Sequence, residues 1–399
     1  MITPKTATSL RFASAMSTQA DTGQATAEVS RRAIHDLGGL IPNLALVFVS
    51  HHHGPDFGGV AASISDQTGS ECLLGCTGDA IVGGDREVEG RPALALWLAH
   101  LPGVTVLPMQ LEFEETPEGG TFVGWPDDLP DPWPDGSALI TLGEPFSFPT
   151  DAFLSRINED HPGVPVIGGM ASGAWGPGQN RLLSGRDEVG QGAVAALLHG
   201  PIRFRSVVSQ GCRPIGQHFV VTKSHKNVIL ELGGKPALQR LQEVYHGLSP
   251  REQKLVQQGL HVGRVISEYK DRFDRGDFLI RNVVGADPDT GAIAITDLLR
   301  PGQTVQFHIR DAETADEDLH ALLAQAAVAP PPLGALVFTC NGRGSRLFGG
   351  PDHDAAALRK HLGDIPTAGF FAQGELGPVG GKNFIHGFTA SIVLFVPTP

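Results

Sequence analysis

The chain is 399 residues long, with 30 Lys+Arg against 43 Asp+Glu and a net charge of −13. That length predicts two domains or three, with core enough that neither a metal nor a disulfide is required as a staple. The dispersed acidity excludes the clustered basic surface that nucleic acid or an anionic membrane needs, and no apolar run nears the roughly 18–20 residues that span a bilayer.

The first twenty residues carry no apolar h-region, so no secretory signal is expected. Four cysteines, at 72, 76, 212 and 340, are too few for a disulfide framework. The expectation is a reduced, cytoplasmic protein that partners neither membrane nor nucleic acid. Gly (51) and Pro (30) make up about a fifth of the chain without any period, which predicts tight loops in an α/β fold.

In chain order, residues 1–10 are expected to be mobile and a helix is predicted over Gln19–Leu37. Three segments then line up with one another. The first has a strand at Ala45–Ser50, a helical stretch, the run Cys72–Gly84 and a strand at Ala93–Leu98. The second has Ala138–Gly143, a helix near Thr150–Asn158, Val166–Gly173 and Ala193–Leu198. The third has Ala335–Cys340, a helix near Asp354–Leu362, Ala368–Glu375 and Thr389–Phe395. A motif glycine (Gly75, Gly168, Gly369) sits at a matching place in each. The apolar runs bounded by Gly and Pro read as buried strands.

Between the first two segments, the acidic, proline-rich stretch Thr116–Gly136 reads as a solvated loop or linker. Between the second and third the texture changes. His218–Leu232 alternates around a Ser-His-Lys-Asn turn and predicts a hairpin, followed by a helix at Pro236–Tyr245. Strands are predicted at Phe278–Val284, Ala292–Thr296 and Thr304–Ile309, with Asp287–Gly291 as the turn between the first two. A helix follows at Ala312–Ala327, whose early acids Glu313, Asp316, Glu317 and Asp318 suit its N-terminal dipole. The fold class expected is mixed α/β, two pseudo-symmetric halves built from repeated strand–helix–strand–glycine loop–strand units.

Loops at the carboxyl ends of strands in such sheets converge on one crevice. That places Thr77, Asp79, Ser172, Gln373, Gly374 and Glu375 of the glycine loops beside Asn341, Gly342, Arg343, Gly344 and the His51–His53 loop, with His52 the member expected to touch ligand. Backbone N–H groups, an arginine and a carboxylate suit a zwitterion or small anion. Arg343 either grips a ligand carboxylate or pairs with a nearby acid to fix its turn. Glu375 either meets an ammonium group or caps backbone amides. The adjacent histidines point to opposite sides and no spacing completes a metal site. No phosphate-loop or dinucleotide motif is present, so no cofactor is expected. Cys340 is either a buried apolar residue or a nucleophile awaiting a base such as His353 or His386. Arg310-Asp311 reads as an ion pair and a helix cap at the end of a strand.

Phe12–Thr18, Leu46–His52, Gly75–Thr77 with Glu87, Phe307–Asp311, Phe338–Gly344, Gly369–Pro378 and His386–Ala390 together resemble the FIST domain, with an N-terminal half over 11–235 and a C-terminal half over 236–399. The resemblance implies a sensory module of signal transduction whose ligand is a small molecule, amino acids in particular. No F-box, kinase or cyclase segment flanks the halves, so a stand-alone copy signalling to an unknown downstream protein is expected. Two other readings remain open: an enzyme acting on a small carboxylate through Cys340 or Glu375, and an interaction scaffold that docks a partner on the 116–136 loop.

Overall fold

Runs such as Leu44–Val49, apolar throughout, form strands buried on both faces, as parallel neighbours covered by helices require. The structure is a computed structural model that describes residues 9–117, 119–270 and 272–398. The expectation of a mobile N-terminus falls, for residues 1–8, outside the described residues.

The chain opens with β1 (Arg11–Ser17), α1 (Thr22–Asp36), β2 (Leu44–Ser50), α2 (Phe57–Thr68), β3 (Cys72–Gly78), β4 (Ala80–Gly83), β5 (Arg86–Glu89) and β6 (Leu94–His100). It continues with β7 (Thr105–Glu114), β8 (Thr121–Val123), β9 (Ala138–Gly143), α3 (Thr150–Asp160), β10 (Val166–Met170), β11 (Leu182–Ser184), β12 (Asp187–Val189), β13 (Ala193–His199) and β14 (Ile202–Gln210). Next come β15 (Cys212–His225), β16 (Val228–Leu232), β17 (Lys235–Pro236), α4 (Ala237–His246), α5 (Pro250–Gln258), β18 (Leu260–Val265), β19 (Phe278–Asp287), β20 (Ala292–Ile295), β21 (Thr304–Arg310) and α6 (Ala312–Ala326). The last stretch holds β22 (Gly334–Cys340), α7 (Ser345–Phe348), α8 (His353–Leu362), β23 (Thr367–Ala372), β24 (Glu375–Val379), β25 (Lys382–His386) and β26 (Thr389–Pro397).

Two compact units divide these residues: 9–208 with 320–385 and 389–398, and 209–319 with 386–388. The division differs from the halving at 235 that the sequence motifs suggest, because all of the second unit except residues 386–388 lies in one long stretch running from the end of β14 into α6.

The first unit contains three sheets that share one plan. Their strand orders are β1-β6-β2-β3-β11-β12, β8-β7-β13-β9-β10-β24-β25 and β14-β26-β22-β23-β4-β5. Each has a central parallel pair (β2–β3, β9–β10, β22–β23) followed by a hairpin, and the hairpin comes from a different segment of the chain. β4–β5 joins the third sheet, β11–β12 the first and β24–β25 the second. One face of every sheet feeds a shared core that includes Phe48, Trp97, Ile140, Leu142, Phe338 and Phe370. The other face of the first sheet is covered by α1 and α2 through Ala25, Val29, Ala33, Val60 and Ile64. α1 starts where Asp21 accepts a hydrogen bond from the Gln24 amide at 2.7 Å, a side-chain N-cap.

The motif glycines have one shared physical reason. In the three parallel pairs Gly75 lies opposite Val47, Gly168 opposite Thr141 and Gly369 opposite Val337. A Cβ at these positions would stand 2.5, 1.8 and 1.8 Å from the carbonyl oxygen of the residue opposite. Only a residue without a side chain allows that approach.

The second unit is a ring. β15-β21-β18-β19-β20-β16 are neighbours in order, and β15 also pairs with β16, so the sheet closes. The long strand β15 makes both contacts by bending, with register shifts between Ile215 and Phe219 and near Lys223. Its interior holds Ile215, Val221, Ile229, Val262, Ile293, Val305 and Phe307. The predicted hairpin at 218–232 is β15–β16, and α5 begins with Pro250 behind a Ser249/Glu252 capping box.

Candidate functional site

All three central parallel pairs end their strands in loops of the first unit, and the loops are stitched together by hydrogen bonds. Counting four residues on from each motif glycine gives Asp79, Ser172 and Gln373, equivalent positions in the three sheets. The Ser172 hydroxyl accepts from the Asp79 amide at 2.8 Å and donates to the Phe371 carbonyl. The Ser172 amide donates to the Thr77 carbonyl at 3.1 Å, and the Gln373 amide donates to the Met170 carbonyl at 3.0 Å. Five of the residues expected at the site (Thr77, Asp79, Ser172, Asn341 and Gln373) therefore lie together.

They line two small cavities. One, of about 330 Å³, is bordered by Asp79, Asn341, Arg346, Gln373, Phe146 and Trp175. The other, of about 230 Å³, is bordered by His51, Thr77, Ser172, Asn180 and Arg181. The segment Gly173–Trp175 lines both. Trp175 is 97% exposed and Phe146 42%, so two aromatic side chains stand at the rim of the larger cavity.

Arg346 carries the charge that the sequence reading assigned to Arg343. It meets Asp79 at 3.1 Å and donates to the Asn341 carbonyl at 2.6 Å. Both partners keep solvent contact, at 60% and 27% exposure. An ion pair this open is worth little by itself and is readily exchanged for another partner.

Two expected residues do not reach the cavities. Arg343 is fully buried, and its Nε and Nη2 donate to the two oxygens of Asp354 at 2.7 and 2.8 Å. Burial raises the Asp354 carboxyl, but Arg343, His353 and Thr339 outweigh it and hold the group well below the usual carboxylate range. Glu375 is also fully buried, its Oε2 accepting from the Thr389 amide and hydroxyl at 3.1 and 2.7 Å. Both thus follow the structural alternative, tying down the loops on which the cavity residues ride.

The remaining expected residues belong to the frame. Gly344 takes φ +58 at the start of α7, where a Cβ would stand 2.6 Å from Glu89. Gly374 takes φ +140 and offers its carbonyl to the Met170 amide at 2.9 Å. Gly342 lies in the turn between Asn341 and Arg343. His52 is exposed and stacks on His51 at 4.1 Å, and it is His51 that lines the smaller cavity. Desolvation and then the His51 charge lower the His52 pKa. Cys340 ends β22 at 8% exposure, its Sγ 3.9 Å from Asn341 Oδ1. Among the described residues no three His, Cys, Asp or Glu side chains converge as metal ligands.

Behind the loop, Glu87 of β5 accepts from the Asp354 and Ala355 amides at 2.9 and 3.0 Å, capping α8. Burial, and then the Asp354 charge, push its carboxyl up to about 7. No spacing pattern announced Arg346. The only available signal was that a second arginine follows the same glycine turn.

Comparison with known proteins places this architecture. The FIST N domain matches residues 43–235 and the FIST C domain residues 237–378. An uncharacterized protein of Mycobacterium tuberculosis is 43% identical over 389 residues, covering 97% of this chain and 100% of its own. One of Mycobacterium bovis is 42% identical over 389 residues, covering 97% and 99%. A crystal structure of cyanuric acid hydrolase from A. caulinodans aligns over 98% of this chain and 99% of its own, at 9% identity and a TM-score of 0.31, a likeness too weak to bear on this chain.

Proposed function

The chain belongs to the FIST family, whose domains are associated with sensors of signal transduction, and from that premise we propose that it binds a small zwitterion, an amino acid or a related small carboxylate, in the loop cavity of the first unit. The Arg346–Asp79 pair carries the reading. A ligand carboxylate replaces Asp79 on the guanidinium, its ammonium group replaces Arg346 on the carboxylate, and both charges stay paired throughout. The side-chain amides of Asn341 and Gln373 supply further donors and acceptors. A volume of about 330 Å³ lies at the small end of ligand sites. Trp175 and Phe146 provide apolar surface to close over the bound molecule.

The shared plan of the three sheets supports descent from one repeated unit, with the site built where the three copies meet. In this reading ligand binding orders the Gly173–Trp175 segment, and a separate downstream signalling protein senses the change. Four buried cysteines, none of them in a disulfide among the described residues, are in keeping with a reducing cytoplasm. The 116–136 stretch, read from sequence as a solvated loop, is anchored through Trp133, which packs with Phe153 and Ile157 of α3.

The test is a thermal-shift screen of the purified protein against the twenty amino acids and small organic acids. A ligand that binds only the native state stabilises it by about 2.7 kcal/mol at a hundred times Kd. The expected result is a hit that disappears in Asp79→Asn and weakens in Trp175→Ala. A hit that survives Asp79→Asn unchanged refutes the placement.

A further inference from the structure

The second unit contains a half-buried arginine, Arg310, with one edge of its guanidinium buried and no counter-charge among the described residues. In the first unit, Arg343 shows what a buried guanidinium requires: Nε and Nη2, parallel donors on one edge, hold the two oxygens of Asp354. The same two atoms of Arg310, at the end of β21, are buried and have no hydrogen-bond partner among the described residues. Two donors of a cation buried without acceptors are costly.

Its neighbours are unsatisfied as well. In the β18–β21 pairing His261 lies directly opposite His308, and Arg310 is two residues further along on the same face. The Phe388 ring lies 4.2 Å from the His261 ring and 5.1 Å from the Arg310 guanidinium carbon, so one aromatic ring gathers them. His308 has room because Gly263 has no side chain, and a Cβ there would stand 2.4 Å from the imidazole. His308 Nδ1 meets the Gln306 carbonyl at 3.0 Å, which fixes the proton on Nδ1 and leaves Nε2 as an acceptor. That Nε2 and Nδ1 of His261 are buried without partners. Burial holds both rings neutral, with pKa values lowered to about 4, and Arg310 adds to the effect on His261.

We propose that this face of the second unit binds a small monocarboxylate bearing a hydroxyl group, the carboxylate on the Nε–Nη2 edge of Arg310 and the hydroxyl donating to His308 Nε2. One guanidinium balances one negative charge. The surroundings are apolar, formed by Cys212, Val265, Phe278 and Ile280 with Phe273 and Phe388, and they penalise a dianion such as sulfate or hydrogen phosphate. Neutral imidazole acceptors favour a ligand that brings its own proton donor. Bicarbonate and short α-hydroxy acids share this chemistry. The site is distinct from the loop cavity and stands whether or not that cavity binds a zwitterion.

The test is calorimetric titration of the full chain with glycolate, bicarbonate, acetate and sulfate at matched ionic strength. Glycolate or bicarbonate is expected to bind at one equivalent, and acetate, which lacks the hydroxyl, about tenfold more weakly. Arg310→Lys keeps the charge but loses the fork, and should weaken binding at least about tenfold. His308→Asn, which reads the hydroxyl contact without touching the charge, should erase the preference for glycolate over acetate. Any of three results overturns the proposal: no saturable binding of a monocarboxylate, undiminished binding in Arg310→Lys, or sulfate binding tighter than glycolate. If Arg310→Lys does not fold, the His308→Asn selectivity decides.

Discussion

Arg343, in the glycine turn after β22, and Arg346, in α7, lie three residues apart and play opposite electrostatic roles. Arg343 is buried against Asp354, with both oxygens engaged. Arg346 reaches Asp79 at the edge of a cavity and stays 60% exposed. The first holds the loop in place, and the second is available for exchange.

The buried pair makes a prediction about stability. Arg343→Met leaves Asp354 as an uncompensated buried charge, and Asp354→Leu does the same to Arg343. Each single substitution is expected to cost about 3–5 kcal/mol, and the double substitution much less than their sum. Urea denaturation of the three variants measures this. Singles that cost under about 1 kcal/mol would show that the pair does not anchor the loop.

Glu87 predicts a pH dependence. Its folded pKa of about 7 lies above the ordinary 4.5, so the folded state binds the proton more tightly than the unfolded chain. The stabilising contribution is complete below about pH 4.5 and is lost as the pH rises through about 7. A displacement of this size corresponds to on the order of 3 kcal/mol across that window. Glu87→Gln removes the titration while keeping an oxygen for the Asp354 and Ala355 amides. The variant should match the parent near pH 5 and exceed it in stability at pH 8. A variant whose stability changes between pH 5 and 8 as steeply as the parent's would assign the effect to another group.

The motif glycines predict a steric penalty. Gly369→Ala places a methyl group 1.8 Å from the Val337 carbonyl oxygen and is expected to destabilise by about 3 kcal/mol or more. Gly59→Ala, in the interior of α2 with open space around its Cβ, should instead stabilise by about 0.5–1 kcal/mol. Thermal melts of the two proteins side by side check the sign as well as the size.

Much of this was legible in the sequence because the signals were local. The strands of the three parallel pairs, the helices against them and the Asp287–Gly291 turn all follow from apolar periodicity and turn chemistry over short windows. The hairpins that complete the three sheets of the first unit were not legible. Ala80–Gly83 pairs with β23, nearly three hundred residues away in the chain, and a four-residue strand carries no mark of so distant a partner. The compact units divide the chain differently from the motif halves, because residues 209–319 interrupt the segment that completes the third sheet. At the site, the equivalence of Asp79, Ser172 and Gln373 was implicit in their spacing from the motif glycines. The choice between Arg343 and Arg346 was not, because it depends on Asp354, delivered by a helix that starts only after the turn.

The most direct measurement is a calorimetric titration of the parent protein and of Arg346→Gln with the best amino-acid ligand from the thermal screen. The structure predicts a single binding event in the parent, weakened by at least about tenfold in Arg346→Gln while its melting temperature is preserved, as befits an exposed ion pair. Equal affinity in both proteins would contradict a ligand held at the Arg346–Asp79 cavity.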